Sequence, residues 1–201
     1  MDPATADVRD HLGVRRCGQV VVPLPDLVAR VRAGDEAAFE ELFRAQYPAL
    51  CDFAARYVKD DVRAEELVQD LFADLWARRR DWHVRDSVRA YLFAAVRNRA
   101  LNLRKRQAME SDWEQDEAIA DVRALHRPPE QADEALERAD IRARLDSALG
   151  SLPERCRLVM HLRWHCQMPY AEIASVMGIS VKGVENQLAR GLAVLRRQFV
   201  R

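Results

Sequence analysis

Between Pro169 and Arg197 apolar residues recur at helical intervals twice, with a break between the two runs. Tyr170, Ile173, Ala174 and Met177 stand at i, i+3, i+4 and i+7, one face of a helix. Pro169 suits the first turn of that helix, where its missing N–H removes no hydrogen bond. Gly178 predicts the end, because glycine readily takes the left-handed conformation a tight turn needs. Ser180 is a good N-cap for a second helix. The inner face of that helix is Val184, Leu188, Gly191, Leu192 and Leu195. Two helices at this spacing predict a helix-turn-helix with Val181–Arg197 as the recognition helix. Ser180 and Gly183 lie at its start, and Lys182, Glu185, Asn186, Gln187 and Arg190 form its outer face. Such side chains suit the base edges and phosphates of a major groove. A plain αα-hairpin in a bundle is the alternative, and the polar outer face and turn chemistry together favour DNA.

Upstream, Pro25–Ala33 reads as a short helix ended by Gly34, and Asp35 can cap the next one. Phe39, Leu42, Phe43, Tyr47, Leu50, Phe53, Ala54 and Tyr57 then trace a long apolar stripe, which Pro48 is expected to bend. After a Lys59–Asp60–Asp61 turn, Ala64–Arg78 is a third helix with Leu67, Val68, Leu71, Phe72, Leu75 and Trp76 facing inward. Glu66, Asp70 and Asp74 form an acidic stripe at i, i+4 and i+8. Like charges at that spacing destabilise a helix by ~0.2–0.5 kcal/mol per pair. A basic partner surface would relieve the repulsion, and a merely solvated face is the alternative.

Arg78–Ser87 is a basic loop carrying Arg80, Trp82 and His83. Cations interleaved with aromatics suit single-stranded DNA, whose phosphates need charge and whose unstacked bases need a flat platform. A surface loop with one packed tryptophan would look the same. The next helix, Val88–Arg106, has Tyr91, Leu92, Ala95, Val96 and Leu103 inward. Arg97, Asn98, Arg99, Asn102, Arg104, Lys105 and Arg106 crowd its C-terminal half, more than the helix dipole alone would call for. Ile141–Leu149 and Pro153–Cys166 are further helices, the latter with Leu158, Val159 and Leu162 in its core face.

The fold class is therefore all-α, with two small helical domains at 24–106 and 139–201 joined by a flexible acidic linker at 107–138. Residues 1–23 show no periodicity and are expected to be a disordered extension. The net charge is zero, but it hides segregation. Residues 24–77 hold six basic and twelve acidic side chains; 78–106 hold ten and two. Residues 107–138 hold three and ten, and 139–201 hold ten and five. Two basic blocks around an acidic one suggest two nucleic-acid contacts.

No apolar run approaches the ~20 residues of a membrane span. Val20–Val22 is too short for a signal-peptide core, so a cytoplasmic protein without membrane insertion is expected. Cys17, Cys51, Cys156 and Cys166 are scattered and expected to be free thiols. His161 and His165 are spaced i, i+4, with Cys166 adjacent. Leu162 stands where an HExxH helix needs its glutamate, so no metal site is expected, and the ten-residue spacing of Cys156 and Cys166 does not put them together on a helix as a redox pair. With no P-loop and no GxGxxG, no cofactor and no enzyme activity is expected either.

The motifs together resemble the extracytoplasmic-function (ECF) sigma factors of the sigma-70 family, over roughly residues 24–106 and 140–199. AEELVQDLFADLW (Ala64–Trp76) resembles the family's core-polymerase-binding helix. YLFAAVRNRALNLRKR (Tyr91–Arg106) resembles its −10 recognition helix, with Asn98 at the asparagine of an ARN-like motif. LGSLPERCRLVMHLRWHCQMPYAEIASVMGIS, followed by VENQLARGLAVLR, resembles region 4, which reads the −35 element.

The resemblance implies that Glu66, Asp70, Leu71, Asp74 and Trp76 dock on the β′ clamp helices of core RNA polymerase, and that region 4 meets the β flap. It implies −10 contacts from Arg80, Trp82, His83, Arg97, Asn98, Asn102 and Lys105. It implies −35 contacts from Ser180, Lys182, Gly183, Glu185, Asn186, Gln187 and Arg190. Gly183 and Glu185 replace a threonine and a basic residue common in relatives, so the −35 sequence is not copied from them. VENQLARGL resembles the iron-uptake-type subgroup, often held by a membrane-bound anti-sigma factor, which implies such a partner here. A stand-alone helix-turn-helix regulator would explain Pro169–Arg197 but not the basic block at 78–106.

Overall fold

The computed structural model describes residues 24–84, 87–111 and 148–199, and these are helices and connecting turns. The extension 1–23, most of the linker and most of the helix expected at Ile141–Leu149 lie outside the described residues. α1 spans Leu24–Arg32, α2 Glu36–Val58 and α3 Asp61–Ala77. A 3-10 turn at Arg79–Asp81 leads towards α4, Val88–Ser111. The second domain holds α5 (Glu154–Met160), α6 (Tyr170–Met177) and α7 (Val181–Phe199).

The helix starts are built by local side chains. The Asp35 carboxylate accepts from the Ala38 N–H at 3.0 Å, and Asp60 does the same for Val62 and Arg63. Each satisfies donors that the first turn leaves unpaired. Gly34 turns the chain between α1 and α2 with φ +93°. Pro48 does not end α2, which continues through it. It lies on the exposed side, where water can take the carbonyl its ring leaves unbonded. α4 runs to Ser111, past the expected boundary at Arg106.

α2, α3 and α4 enclose an aromatic core. Phe72 sits edge-on to Phe43 at 4.9 Å and to Phe39 at 6.0 Å, and Phe53 meets Phe93 at 5.1 Å. Phe53, Leu42, Leu50, Leu92 and Phe93 are wholly buried, each stabilising by ~1.5–3 kcal/mol relative to exposure. Leu71 belongs to this core as well, at 4 % exposure.

The helix expected over Pro153–Cys166 is α-helical only to Met160. His161–His165 widen into a π-turn, with the Cys166 N–H on the His161 carbonyl at 3.0 Å. Gln167 then takes a left-handed φ of 53° and turns the chain into α6. Pro169 is the N-cap of α6 rather than a first-turn residue. α5 and α7 approach closely at Gly191: a Cβ there would lie 2.1 Å from Met160 Sδ and 3.2 Å from Cys156 Sγ.

The two domains share one core. Phe53 of α2 stacks on His161 at 6.3 Å, and Tyr57 Oη lies 3.9 Å from Met177 Sδ. Arg89 of α4 donates to the Cys166 carbonyl, and Arg104 donates to Glu154 at 2.5 Å. Thus α4 lies between the rest of the first domain and the helix-turn-helix.

Candidate nucleic-acid interface

The turn between α6 and α7 has the chemistry expected of it. Gly178 is left-handed, φ 60° and ψ 45°, and its N–H reaches the Ala174 and Ser175 carbonyls. Ser180 Oγ accepts from the Gly183 N–H at 3.0 Å and so caps α7. Val184 and Leu188 are buried against α5 and α6. Lys182, Glu185, Asn186 and Arg190 are exposed side by side, and Lys182 pairs with Glu185 at 2.9 Å. Gln187 and Gly183 are half-buried. Two expected core residues face outward instead. Leu192 and Tyr170 are each 37 % exposed, and the Tyr170 ring lies under the Arg163 guanidinium at 5.3 Å.

In α4 two sides separate. Asn98, Asn102 and Lys105 are exposed along one side. Tyr91, expected inward, is 43 % exposed on that same side, because 91, 98, 102 and 105 share a helical face. Its ring lies 6.1 Å from Trp82, which is itself buried with no partner for its indole N–H among the described residues. The flat surface offered to solvent is therefore Tyr91, with Trp82 packed behind it. The asparagine spacing is the signal that reveals Tyr91. Nearby, Arg80 is exposed, and the exposed His83 is held by Arg32 at 3.1 Å and the Asp81 carbonyl at 2.8 Å.

The other side of α4 carries Arg89, Phe93, Arg97 and Arg104, and it faces the second domain. A Cβ on Gly178 would lie 4.0 Å from the Arg97 guanidinium, so Arg97 sits at the domain seam rather than in the exposed row. Burial pushes the nearby Tyr57 hydroxyl up to about 12, against the pull of Arg97. Arg89 was not singled out from the sequence, and Arg104 was named only within the basic crowding of the C-terminal half of this helix. Both follow from reading positions 89, 93, 97 and 104 as one face.

On α3, Glu66, Asp70 and Asp74 are exposed in a row, as their spacing implies. Asp74 is paired within the chain to Arg99 of α4 at 2.7 Å, and this hydrogen bond lowers its carboxyl below the ordinary value. Trp76 is half-buried between Phe39 at 4.8 Å and the Arg79 guanidinium at 4.3 Å. Leu71 faces the core, so of the five residues it positions the helix rather than offering a surface. Among the described residues there is no cluster of three or more metal-ligating side chains, and no helix is long and apolar enough to cross a membrane.

Comparison with known proteins matches both parts of the chain. Residues 42–109 match the family described as Sigma-70 region 2, and residues 142–195 match Sigma-70, region 4. The chain is 31% identical over 167 residues to the RNA polymerase sigma-E factor of Streptomyces coelicolor, covering 83% of this chain and 89% of that one. It is 30% identical over 183 residues to the ECF RNA polymerase sigma factor RpoE of Cereibacter sphaeroides, covering 87% and 95%. Its fold is similar to that of CnrH solved in complex with the cytosolic domain of CnrY, at 26% identity and TM-score 0.59, covering 86% and 94%. It also resembles RpoE of Bartonella quintana, solved with the anti-sigma factor NepR, at 23% identity and TM-score 0.57, covering 80% and 95%.

Proposed function

We propose how the chain works from the premise that it belongs to the ECF group of the sigma-70 family. It is an RNA polymerase sigma factor, which recognises −35 and −10 promoter elements and promotes melting and initiation. In our reading α7 meets the −35 element through Ser180, Lys182, Gly183, Glu185, Asn186, Gln187 and Arg190. The α4 row meets the melted −10 strand, with Asn98, Asn102 and Lys105 beside the Arg80–His83 turn. Glu66, Asp70, Asp74 and Trp76 dock on the β′ clamp helices of core polymerase, and the second domain on the β flap. We assign the chain no catalytic role of its own and a place in the cytoplasm with polymerase and promoter. An anti-sigma partner fits, because CnrH was solved held by the cytosolic domain of CnrY; a membrane-anchored one would suit the iron-uptake-type wording of VENQLARGL.

One observation carries the mechanism: α4 keeps one row exposed while its opposite side is covered by the helix-turn-helix domain. Two modest contacts on small domains become tight only when both engage at once, which requires something to hold them at promoter distance. Polymerase does so. Gel-shift measurements at physiological salt test this. The holoenzyme is expected to bind duplex promoter and the free chain to bind it poorly. Equally tight binding by the free chain would favour the stand-alone regulator.

A further inference from the structure

His161 sits where the two domains meet, and it is only 7 % exposed. α2 presents Phe53, stacked nearly parallel on the imidazole at 6.3 Å, and Arg56. Its own π-turn presents His165, with ring centroids 4.7 Å apart, and Cys166, whose Sγ lies 3.5 Å from Nε2. From α4, Arg89 reaches the Cys166 carbonyl and Phe93 backs Phe53. The carboxylate closest in sequence on α2, Asp52, approaches His165 Nε2 at 3.4 Å rather than His161. A proton on His161 would thus join the Arg56 cation in a place closed to water.

We propose that the His161–Phe53 contact is a proton-operated latch between the two domains. Uptake of a proton by His161 opens the chain and frees the side of α4 that the helix-turn-helix domain covers. The value of that opening for transcription rests on the proposed need for the two domains to be held at promoter distance, but the opening itself is read without DNA.

The direction follows from linkage. In the closed chain, burial first, and then Arg56 and His165, hold the imidazole well below its ordinary value of 6.5. In the open chain it returns towards that value. Closure is therefore fully favoured above pH 6.5 and is lost as pH falls through it. While His161 stays neutral in the closed form, the opening equilibrium rises about tenfold per pH unit below that point. The Asp52 carboxylate lies 3.4 Å from His165 and is half-exposed, at 53 %, so solvent screens it and His161 sets the sign.

Small-angle scattering and far-UV circular dichroism of the full chain, between about pH 7.5 and about pH 5, test the latch. The wild type should expand on acidification at constant helicity. His161→Phe keeps a ring against Phe53 without a proton site and should stay compact. If that variant does not fold, the wild-type His161 Cε1–H resonance decides. It should titrate together with the expansion. A chain that stays compact throughout, a His161→Phe chain that opens with the same pH dependence, expansion that loses helix, or a His161 that titrates normally while the chain is compact would each overturn the proposal.

Discussion

Arg104 and Glu154, 50 residues apart in sequence, meet at 2.5 Å across the seam between the domains. Both side chains are 41 % exposed, so the pair is an ordinary surface ion pair worth ~0.2–1 kcal/mol. It nevertheless ties the helix read as the −10 element's partner to the start of α5. Glu154→Ala should raise the open fraction by up to about fivefold, since ~1 kcal/mol corresponds to roughly that ratio. High salt should mimic the substitution in the wild type and add little in the variant. Interdomain distances from spin labels would read both effects.

Gly191 is the point of closest approach between α5 and α7, and its backbone is helical, so space rather than conformation demands glycine there. Gly191→Ala would drive a methyl into Met160 Sδ and crowd Cys156 Sγ. Overpacking of this kind typically costs ~1–3 kcal/mol. The expected outcome is a lower melting temperature for the second domain, with promoter binding by the holoenzyme weakened in parallel. Gly150, beside which a Cβ would meet nothing within 4 Å among the described residues, should accept alanine without crowding.

Ser180 caps the recognition helix through the Gly183 N–H. Ser180→Ala removes that acceptor, and loss of an N-cap costs ~0.5–2 kcal/mol. Holoenzyme binding to a duplex −35 element should weaken, while Ser180→Asp, which keeps an acceptor, should retain the helix. Asn186→Ala should relax preference at one base pair, whereas Arg190→Ala should weaken all sequences alike and reduce the salt dependence. Binding to a panel of single-base promoter variants at two salt concentrations separates these.

The first domain's acid stability should depend on Asp74. Arg99 lowers its carboxyl below the ordinary 3.8, so the stabilisation is fully present above that pH. It is lost as pH falls through the depressed value, when the carboxylate takes a proton. Asp74→Asn should flatten that part of the acid limb in a denaturation series. Asp70 and Glu66, which the pairing leaves outside, are the better candidates for the polymerase contact. Asp70→Lys should weaken binding to core polymerase by about tenfold or more, as expected for reversing a charge at an interface.

Much of this architecture was legible in the residues themselves. Asp35, Gly178 and Ser180 act through local hydrogen bonds and backbone conformation, and their effects stay within a few positions of the chain. The exposed rows on α3 and α7 followed from helical spacing for the same reason. What spacing did not reveal was long-range. Trp82 is buried and Tyr91 exposed because their two rings pack on each other, with Trp82 on the inner side. Leu192 and Tyr170 are apolar positions left more than a third exposed, which their spacing on the inner faces did not indicate. Arg97 was read with the DNA-facing row, yet it is turned to the seam by its place between Tyr57 and Gly178. The π-turn at His161–His165, and with it the contact to Phe53, depends on packing between domains that periodicity does not encode.

Reconstitution with core RNA polymerase, followed by mapping of transcript starts, tests the central claim most directly. The chain should form a stable complex with core enzyme and direct initiation from defined sites, and Asp70→Lys should weaken both together. Absence of a complex, or starts that do not change when the chain is added, would contradict the account.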